Sequence, residues 1–400
     1  MQDIARDTYL DRLISLRDKQ LIKVITGVRR CGKSTLLRLF REYLLSQGVK
    51  EKQIISLNFE DYDLKELRNP DNLYAYVKSH LQPLKMNYLL FDEIQQVEHF
   101  EEVVDSLYQK ENIDLYLTGS NAYMLSSEIA TLLSGRYIEI KLFPLSFREV
   151  MSAAVPGGSL MQHYSDYVRY GSFPYILELR DTPVVASDYL ESLYSTIVLK
   201  DIIQRRRFTD PMMLDSVIRF VFDNVGNILS TKSIADTMTS NGRKIDVKTV
   251  ERFLDAMCES FIIYGARRYD IKGKQLLKTM GKYYAVDSGM RNVLLGSRRY
   301  DVGRVLENVV FLELRRRYKE VYIGKVDTLE VDFVAMDELG LNYIQVAETV
   351  RDKGTLDREL RPFRMINDAY PKLLLTLDED PPMDFEGIRK LNVLDWLLQS

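Results

Sequence analysis

The chain has 400 residues, of which 46% are hydrophobic and 28% charged, a composition that excludes a mostly disordered or collagen-like protein. At about 150 residues per domain, this length predicts two or three domains. With 55 basic and 58 acidic side chains the net charge is -3, which argues against attraction of nucleic acid over the whole surface but not against local basic patches.

Cysteine content and hydropathy bear on where the protein works. The two cysteines, Cys31 and Cys258, are too few for a disulfide framework in a chain of this length. The first residues lack the apolar core of a secretory signal, and no apolar run approaches the ~18 residues of a membrane span. We therefore expect a cytoplasmic protein with no membrane partner.

The first part of the chain alternates short apolar runs with helical patterns, and we predict one domain over residues 1–155. The predicted strands are Leu21–Thr26, Gln53–Phe59, Asn87–Asp92, Ile113–Thr118 and Arg136–Lys141. The predicted helices lie near Lys33–Ser46, Asn72–Lys85 and Phe100–Lys110. Strands that are apolar throughout and alternate with helices are typical of a parallel sheet covered on both faces.

Beyond the turn signal Val155-Pro-Gly-Gly-Ser159 the patterns change, and we predict a helical lid over 156–208, a winged-helix module over 209–288 and an α/β domain over 289–400. The predicted elements of the winged-helix module are helices at Pro211–Val225, Lys232–Thr239 and Asp246–Ser260 and extended stretches at Phe261–Tyr269 and Tyr283–Val286. Those of the last region are helices at Val305–Tyr318 and Thr355–Asn367 and strands at Val321–Gly324, Glu330–Ala335, Leu341–Ala347 and Lys372–Leu377.

A phosphate-binding loop follows the first predicted strand. Residues 27–34 fit the pattern G-x-x-x-x-G-K-[ST], and the segment opens a helix, as this loop requires. Lys33 would reach the β- and γ-phosphates of ATP, and the Ser34 hydroxyl would bind Mg²⁺. The other residues of the predicted nucleotide-binding loop are Gly27, Arg29, Arg30, Gly32 and Thr35.

A second element completes a predicted ATPase site. The apolar strand Asn87–Asp92 ends in Asp92 and Glu93. Asp92 would hold Mg²⁺ through water, and Glu93 would polarise the attacking water, which indicates hydrolysis rather than binding alone. The next strand is followed by Ser120 and Asn121, either of which could sense the γ-phosphate.

These motifs together resemble a known family. They are similar to those of prokaryotic AAA-type ATPases of the additional-strand P-loop class, with an AAA_14 domain followed by a DUF4143 region, related to the archaeal ATPase group. The matching segments are 27–35, 58–61, 91–95, 117–121, 134–136, 144–147, 171–174, 282–287 and 330–333. The resemblance implies ATP binding and hydrolysis. It also makes Arg136 a candidate arginine for nucleotide sensing, in cis or across a subunit interface upon self-association, with an ordinary surface arginine as the equal alternative.

A winged helix in the middle of the chain would suit DNA. The two helices around the turn Ser240-Asn-Gly-Arg243 carry the apolar face of a helix-turn-helix. From Arg267 to Lys282 there are six basic side chains against one acidic one, so a basic wing could contact DNA phosphates. Packing or dimerisation is the alternative use of such a module.

The last region follows the layout of a restriction-nuclease-like α/β domain of the PD-(D/E)xK type. Glu307 on a helix, Asp332 on a strand and Gln345 on the next strand would be the metal-binding residues. Ala347 stands where that pattern has its lysine. Lys325 or Arg351 could take the place of this lysine from nearby positions. We therefore predict a degenerate, inactive nuclease site.

Three functions fit these features. The first is a Mg²⁺-dependent ATPase whose nucleotide state drives a conformational switch of the C-terminal modules. The second is a nucleotide-gated DNA-binding or regulatory protein without significant turnover. The third is an ATP-dependent nuclease.

Overall fold

The computed structural model describes residues 4–122, 133, 135–154, 157–296 and 302–399. The chain divides into two compact units. The first unit runs to Pro144 and includes Glu259–Phe261. The second comprises Leu145–Cys258 and the chain from Ile262 onward. Within the described residues, no helix is both long and apolar enough to cross a membrane.

The first unit is an α/β layer structure. Its strands are β1 Ile22–Thr26, β2 Ile54–Asn58, β3 Asn87–Asp92, β4 Ile113–Gly119 and β5 Tyr137–Lys141. Its principal described helices are α1 Asp7–Ser15, α2 Lys33–Ser46, α3 Pro70–His80 and α4 Phe100–Tyr108. The five predicted strands are confirmed, and α1 is an element that the sequence patterns did not indicate.

The strand order of this sheet positions the motifs. In the described part of the chain the order is β2-β3-β4-β1-β5, and every pairing is parallel. Strand β4 thus lies between β1 and β3, and its Leu117 is opposite both Val24 and Phe91. This order agrees with the predicted additional-strand core, which stays a prediction. Because the carboxyl ends of parallel strands meet at one edge, the segments after β1, β3 and β4 converge there.

The sheet is held by apolar side chains on both faces. All residues of β1, β3 and β4 are buried, which explains why these strands are mostly apolar without alternation. The buried charges of Lys23 on β1 and Asp114 on β4 form an ion pair with each other. Leu73 and Val77 of α3 and Val104 and Leu107 of α4 pack into the same core. Helix α3 begins at Pro70 after Asn69, whose side-chain oxygen accepts from two amides of the first turn.

The second unit combines helices with a second sheet. Its described helices are α5 Phe147–Ser152, α6 Leu160–Tyr170, α7 Ile176–Leu179, α8 Pro183–Thr196, a π-helical turn Ile197–Gln204, α9 Pro211–Asp223, α10 Thr231–Ser240, α11 Val247–Glu259, α12 Ser288–Leu295, α13 Val302–Arg317, α14 Lys353–Arg364 and α15 Val393–Leu398. Its strands are β6 Ile228–Leu229, β7 Ile263–Asp270, β8 Gln275–Ala285, β9 Glu320–Val326, β10 Leu329–Asp337, β11 Gly340–Ala347, β12 Lys372–Thr376, β13 Met383–Phe385 and β14 Ile388–Asn392.

Nine strands of the described chain form one continuous sheet in the second unit. The order is β13-β14-β12-β11-β10-β9-β7-β8-β6. Strand β7 pairs antiparallel with β8 and parallel with β9. The order of helices α9–α11 followed by the β7–β8 hairpin agrees with the winged-helix hypothesis, which stays a prediction. The hairpin shares its sheet with the strands of the predicted nuclease-like region.

Two separated motifs of the second unit are joined by a buried carboxylate. Asp287 accepts from the Ser172 amide at 2.6 Å, from the Ser172 hydroxyl at 2.8 Å and from the Met290 amide at 2.8 Å. Burial raises the pKa of Asp287. Gly171 has φ of 84°, and a Cβ on it would lie 2.3 Å from an Asp287 oxygen. A glycine is therefore required for this close approach.

Candidate functional site

The phosphate loop connects β1 to α2 in a tight path. Gly32 caps α2 with φ of 104°, a conformation that favours glycine. Gly27 lies so close to the strand-end segment after β5 that a Cβ would be 2.2 Å from the Leu142 carbonyl oxygen. The first turn of α2 has no capping side chain. Its amides are therefore available to an anion at the helix N-terminus.

Lys33 is held inside this loop. The residue is 4% exposed, and Nζ donates to the carbonyl oxygens of Gly27 at 3.1 Å and Val28 at 3.3 Å. Nζ also lies 3.4 Å from Glu93 Oε1. Burial alone would lower the pKa of Lys33, but the negative charges of its neighbours, including Glu93 and Asp92, raise it. The ammonium is therefore charged at neutral pH and aimed at the edge where the motifs converge.

Asp92 is fixed by two hydroxyl groups. The Thr118 hydroxyl on β4 donates to Asp92 Oδ1, and the Ser34 hydroxyl also hydrogen-bonds the carboxylate. Burial raises the pKa of Asp92, and the two hydroxyls and Lys33 oppose that shift. The hydroxyl and carboxylate oxygens predicted to bind Mg²⁺ are thus within hydrogen-bonding distance of each other. Thr118 is a site residue that sequence reasoning missed.

Glu93 sits at a strained turn directly after β3. Its φ is 53°, and its amide donates to the Thr118 hydroxyl at 2.9 Å. Burial would raise the pKa of Glu93, but Lys33 and a hydrogen bond from Gln95 hold it below its usual value. Gln95 Nε2 donates to Glu93 Oε2 and lies 3.4 Å from Ser120 Oγ. The side chains of Glu93 and Ser120 are therefore connected through Gln95, which the sequence patterns did not single out.

The remaining predicted site residues have different surroundings. Arg29 donates to Glu60 at 2.8 Å, and Arg30 is exposed with φ of 66°. Asn121 is buried beside Ser120. Arg136 pairs with Asp105 of α4 and lies over the Tyr108 ring. Its predicted role in nucleotide sensing, in cis or in trans, stays a prediction.

These residues fit a nucleotide with its magnesium ion. A buried ammonium, glycine-lined backbone amides and a helix N-terminus suit phosphate oxygens. The hydroxyl of Ser34 and the carboxylate of Asp92 are oxygen ligands of the kind Mg²⁺ prefers. A cleft of ≈ 750 Å³ runs along β2 and is lined at one end by these two residues, so this end of the site is open.

The second unit brings the three predicted nuclease-like residues into one cluster, together with residues that were not predicted. Asp332 Oδ2 accepts from the Val346 amide at 2.8 Å, and the Asp332 amide donates to Gln345 Oε1 at 3.1 Å. Burial and the charge of Glu307 raise the pKa of Asp332 well above its usual value. Gln345 Nε2 donates to Glu359 at 2.8 Å. The Gln345 oxygen, predicted as a metal ligand, is thus already engaged by a backbone amide.

Lys282 occupies the middle of this acid cluster. Its Nζ lies 2.9 Å from Glu307 and 2.7 Å from Glu330, and its side chain is 5% exposed. Tyr284 donates to the same Glu307 oxygen at 2.7 Å. Burial would lower the pKa of Lys282, but the surrounding carboxylates raise it. A lysine does reach the cluster, from strand β8 rather than from position 347.

The position of Lys282 bears on two other predictions. These are the residues that could replace the missing lysine and the basic wing. Arg351 is exposed and lies 3.5 Å from Asp378. Lys282 is buried and ion-paired, so its inclusion among DNA-contacting residues of the Arg267–Lys282 region is wrong. Lys272 of the same region pairs with Asp327 at 2.6 Å. DNA contact through the rest of this region stays a prediction.

Within the residues that the structure describes, no group of three or more His, Cys, Asp or Glu side chains is arranged to hold a metal ion. In the acid cluster, the Lys282 ammonium provides a positive charge beside Glu307 and Glu330. The arrangement is that of a largely buried ion-pair network in which one ammonium is shared by two carboxylates.

Comparison with known proteins agrees with the first unit and corrects one expectation for the second. An AAA domain (AAA_14) matches residues 19–151, and a domain of unknown function, DUF8612, matches residues 161–301. The predicted DUF4143 assignment is therefore wrong, since the region after the AAA domain matches a different family. Motifs such as 171–174 and 282–287 lie inside the DUF8612 match and did not discriminate between the two.

Relatives extend over the whole chain. An uncharacterized protein of Haemophilus influenzae is 39% identical over 400 residues, covering 99% of both chains. An uncharacterized protein of Methanocaldococcus jannaschii is 28% identical over 394 residues, covering 94% of this chain and 85% of the relative. Among solved structures, the Walker-type ATPase PABY2304 of Pyrococcus abyssi is similar, with a TM-score of 0.51 and 16% identity over 73% of this chain and 96% of that one. At this identity the likeness concerns the fold.

Proposed function

Because this chain belongs to the same family as the Haemophilus influenzae protein and its residues 19–151 match an AAA domain, we propose that it binds ATP with Mg²⁺ and hydrolyses it. The observation that carries the proposal is the convergence of Lys33, Ser34, Asp92 and Glu93 at one edge of the parallel sheet. The order of β1, β4 and β3 brings these residues together from distant parts of the chain.

Each residue has a distinct role in this proposal. Lys33 and the amides of the loop hold the phosphate oxygens, and Ser34 and Asp92 would hold Mg²⁺, which when bound supplies Lewis-acid stabilisation of phosphate charge. Glu93 accepts a proton from the water that attacks the γ-phosphorus, while the bond from that phosphorus to the ADP oxygen breaks. Phosphate oxygens that attract Lys33 also release Glu93 from its ion pair.

Ser120 is favoured over Asn121 as the sensor of this chemistry. Its hydroxyl is connected through Gln95 to the carboxylate of Glu93. When Glu93 exchanges Lys33 for another partner, the hydrogen bond between Gln95 and the Ser120 hydroxyl can change with it. The choice rests on this hydrogen-bond path and is part of the proposal.

We further propose that the nucleotide state drives a conformational switch of the second unit. Directly after Ser120 and Asn121, the Ala122 amide donates to the carbonyl oxygen of Glu259 at 2.8 Å. Glu259 ends helix α11, and Glu259–Phe261 group with the first unit although the chain on both sides of them belongs to the second. A shift after β4 would therefore be transmitted to α11 and β7.

The test compares Glu93→Gln with Lys33→Ala. Glu93→Gln keeps the shape of the side chain but removes the base, so it should retain ATP affinity while turnover falls by about 100-fold or more. Lys33→Ala should lose affinity itself. ATP binding measured by calorimetry and phosphate release measured alongside separate these effects. Hydrolysis at the wild-type rate by Glu93→Gln would contradict the assignment of the base.

A further inference from the structure

Arg6 makes a buried bridge behind the phosphate loop. It lies directly before helix α1 and is 3% exposed. One guanidinium nitrogen, Nη1, donates to the Cys31 carbonyl oxygen at 3.1 Å, and Nη2 donates to the Phe143 carbonyl oxygen at 2.7 Å. A single side chain thus joins the loop to the segment that follows β5.

The same segment supports the loop at other points. The guanidinium lies 4.9 Å from the centre of the Tyr9 ring, and the Tyr9 hydroxyl accepts from the Phe143 amide at 3.4 Å. Gly27 packs against the Leu142 carbonyl oxygen so closely that no larger residue would fit. The back of the loop is therefore held on one side by Leu142, Phe143 and Arg6.

The planarity of the peptide bond turns this contact into a constraint on the nucleotide side. In a trans peptide the C=O of one residue and the N–H of the next point in opposite directions. Arg6 fixes the Cys31 carbonyl toward the buried back of the loop. The Gly32 amide must therefore point the other way, toward the partly exposed side where α2 begins. Backbone amides at a helix N-terminus are the groups that bind phosphate oxygens.

A charged donor is suited to this task. An arginine stays protonated in proteins, and its planar fork can donate to two acceptors in a fixed geometry. A hydrogen bond from a charged group is also stronger than one from a neutral group. A lysine at this position could donate to one of the two carbonyls but not hold both in the same plane.

We infer that Arg6 is a positioning residue of the ATP site: it sets the orientation of the Cys31–Gly32 peptide so that the Gly32 amide faces the phosphates. This inference rests on the proposed ATP binding. It assigns a role in phosphate recognition to the segment before α1, which lies outside the loop motif itself.

The experiment measures the affinity for Mg²⁺–ATP and for pyrophosphate in the full chain and in Arg6→Ala and Arg6→Lys. Arg6→Ala should weaken both by about 10- to 100-fold, the effect of losing one or two hydrogen bonds from a charged donor. Arg6→Lys should fall between Arg6→Ala and the wild type. Millimolar guanidinium should restore part of the affinity of Arg6→Ala, because it can donate again to the two carbonyl oxygens.

Arg17 provides a matched control in the same unit. It also lies over a tyrosine ring, 5.6 Å from the centre of Tyr88, and donates to the Tyr88 hydroxyl at 3.2 Å. Arg17→Ala should lower thermal stability and leave both affinities within about twofold of the wild type, since it breaks no contact to the loop.

The outcomes separate this inference from the proposed function. Folded Arg6→Lys and Arg6→Ala with wild-type affinities would overturn the role of Arg6 while ATP binding stands. Equal loss of affinity in Arg17→Ala and Arg6→Ala would also overturn it, because a general loss of stability would then explain both. If Arg6→Ala does not fold, Arg6→Lys decides by the same criterion. A wild-type chain that binds no ATP would refute the proposed function itself.

Discussion

Lys282→Met would remove the positive charge from the acid cluster of the second unit while keeping most of the side-chain volume. The ammonium has two carboxylate partners, Glu307 at 2.9 Å and Glu330 at 2.7 Å. Its side chain is 5% exposed, and that of Glu307 is 15% exposed. Little water can therefore replace the missing charge, and Glu307 would be left largely buried with the Tyr284 hydroxyl as its remaining hydrogen-bond partner among the described residues.

The expected loss follows from this burial. Breaking a buried ion pair costs about 3–5 kcal/mol. Glu330 is 30% exposed and can be rehydrated, so we take the lower end of that range. At about 2–4 °C per kcal/mol for a unit of this size, a loss of ~3 kcal/mol lowers Tm by about 6–12 °C.

The assay is thermal unfolding followed by circular dichroism, with Lys272→Met as control. Lys272 pairs with Asp327 at 2.6 Å, but both side chains are nearly half exposed. Such a pair contributes about 0–1 kcal/mol, so its loss should move Tm by less than about 4 °C. The double variant Lys282→Met/Glu307→Gln should recover part of the loss, because both charges are then absent. Equal Tm values for the two single lysine variants would refute the assignment of Lys282 as the internal cation.

Two further predictions concern buried carboxylates. Thr118→Val removes the hydroxyl that links Asp92 and the amide of Glu93. We expect turnover to fall by about 10-fold and the Mg²⁺ concentration for half-maximal activity to rise. An unchanged Mg²⁺ concentration for half-maximal activity would contradict the role of Thr118 in positioning Asp92. In the second unit, contacts that include Lys390 hold the pKa of Asp378 below its usual value against the effect of burial. Because the charged form of Asp378 is favoured in the folded state, its contribution to the stability of the fold is present above about pH 4 and is lost as the pH falls through the folded pKa. The difference in Tm between wild type and Asp378→Asn should therefore shrink over that pH interval. A constant difference would argue against a lowered pKa of Asp378.

The strands of the first unit could be predicted because of where they lie. Strands buried on both faces, such as β3 and β4, are mostly apolar without alternation, and this pattern is visible in the sequence even though β4 contains the buried Asp114. Helix α1 was missed because it buries little beyond Tyr9 and Leu13, too few residues for a clear helical period. Arg6 in front of it then had no structural context.

The acid cluster shows a different limit. A lysine is almost never fully buried unless it is paired, so Lys282 counted as a solvent-facing wing residue. Its partner Glu307 is 25 residues away, and only the fold of β8 against α13 brings the two together. Lys282 and the other polar residues of β8 also made the predicted strand too short. It was expected over Tyr283–Val286 and in fact begins at Gln275. Local pattern cannot reveal a charge that is neutralised by a distant partner.

The parallel pairing of β7 with β9 determines how the second unit can be divided. Arg268, Tyr269 and Asp270 of β7 lie opposite Ile323, Gly324 and Lys325 of β9. Cutting the chain between these strands would expose two rows of backbone N–H and C=O groups, and such open edges invite intermolecular strand pairing and aggregation. The β7–β8 hairpin and the strands from β9 onward thus each cover a backbone edge of the other, and a fragment that contains only one of them would be prone to aggregate.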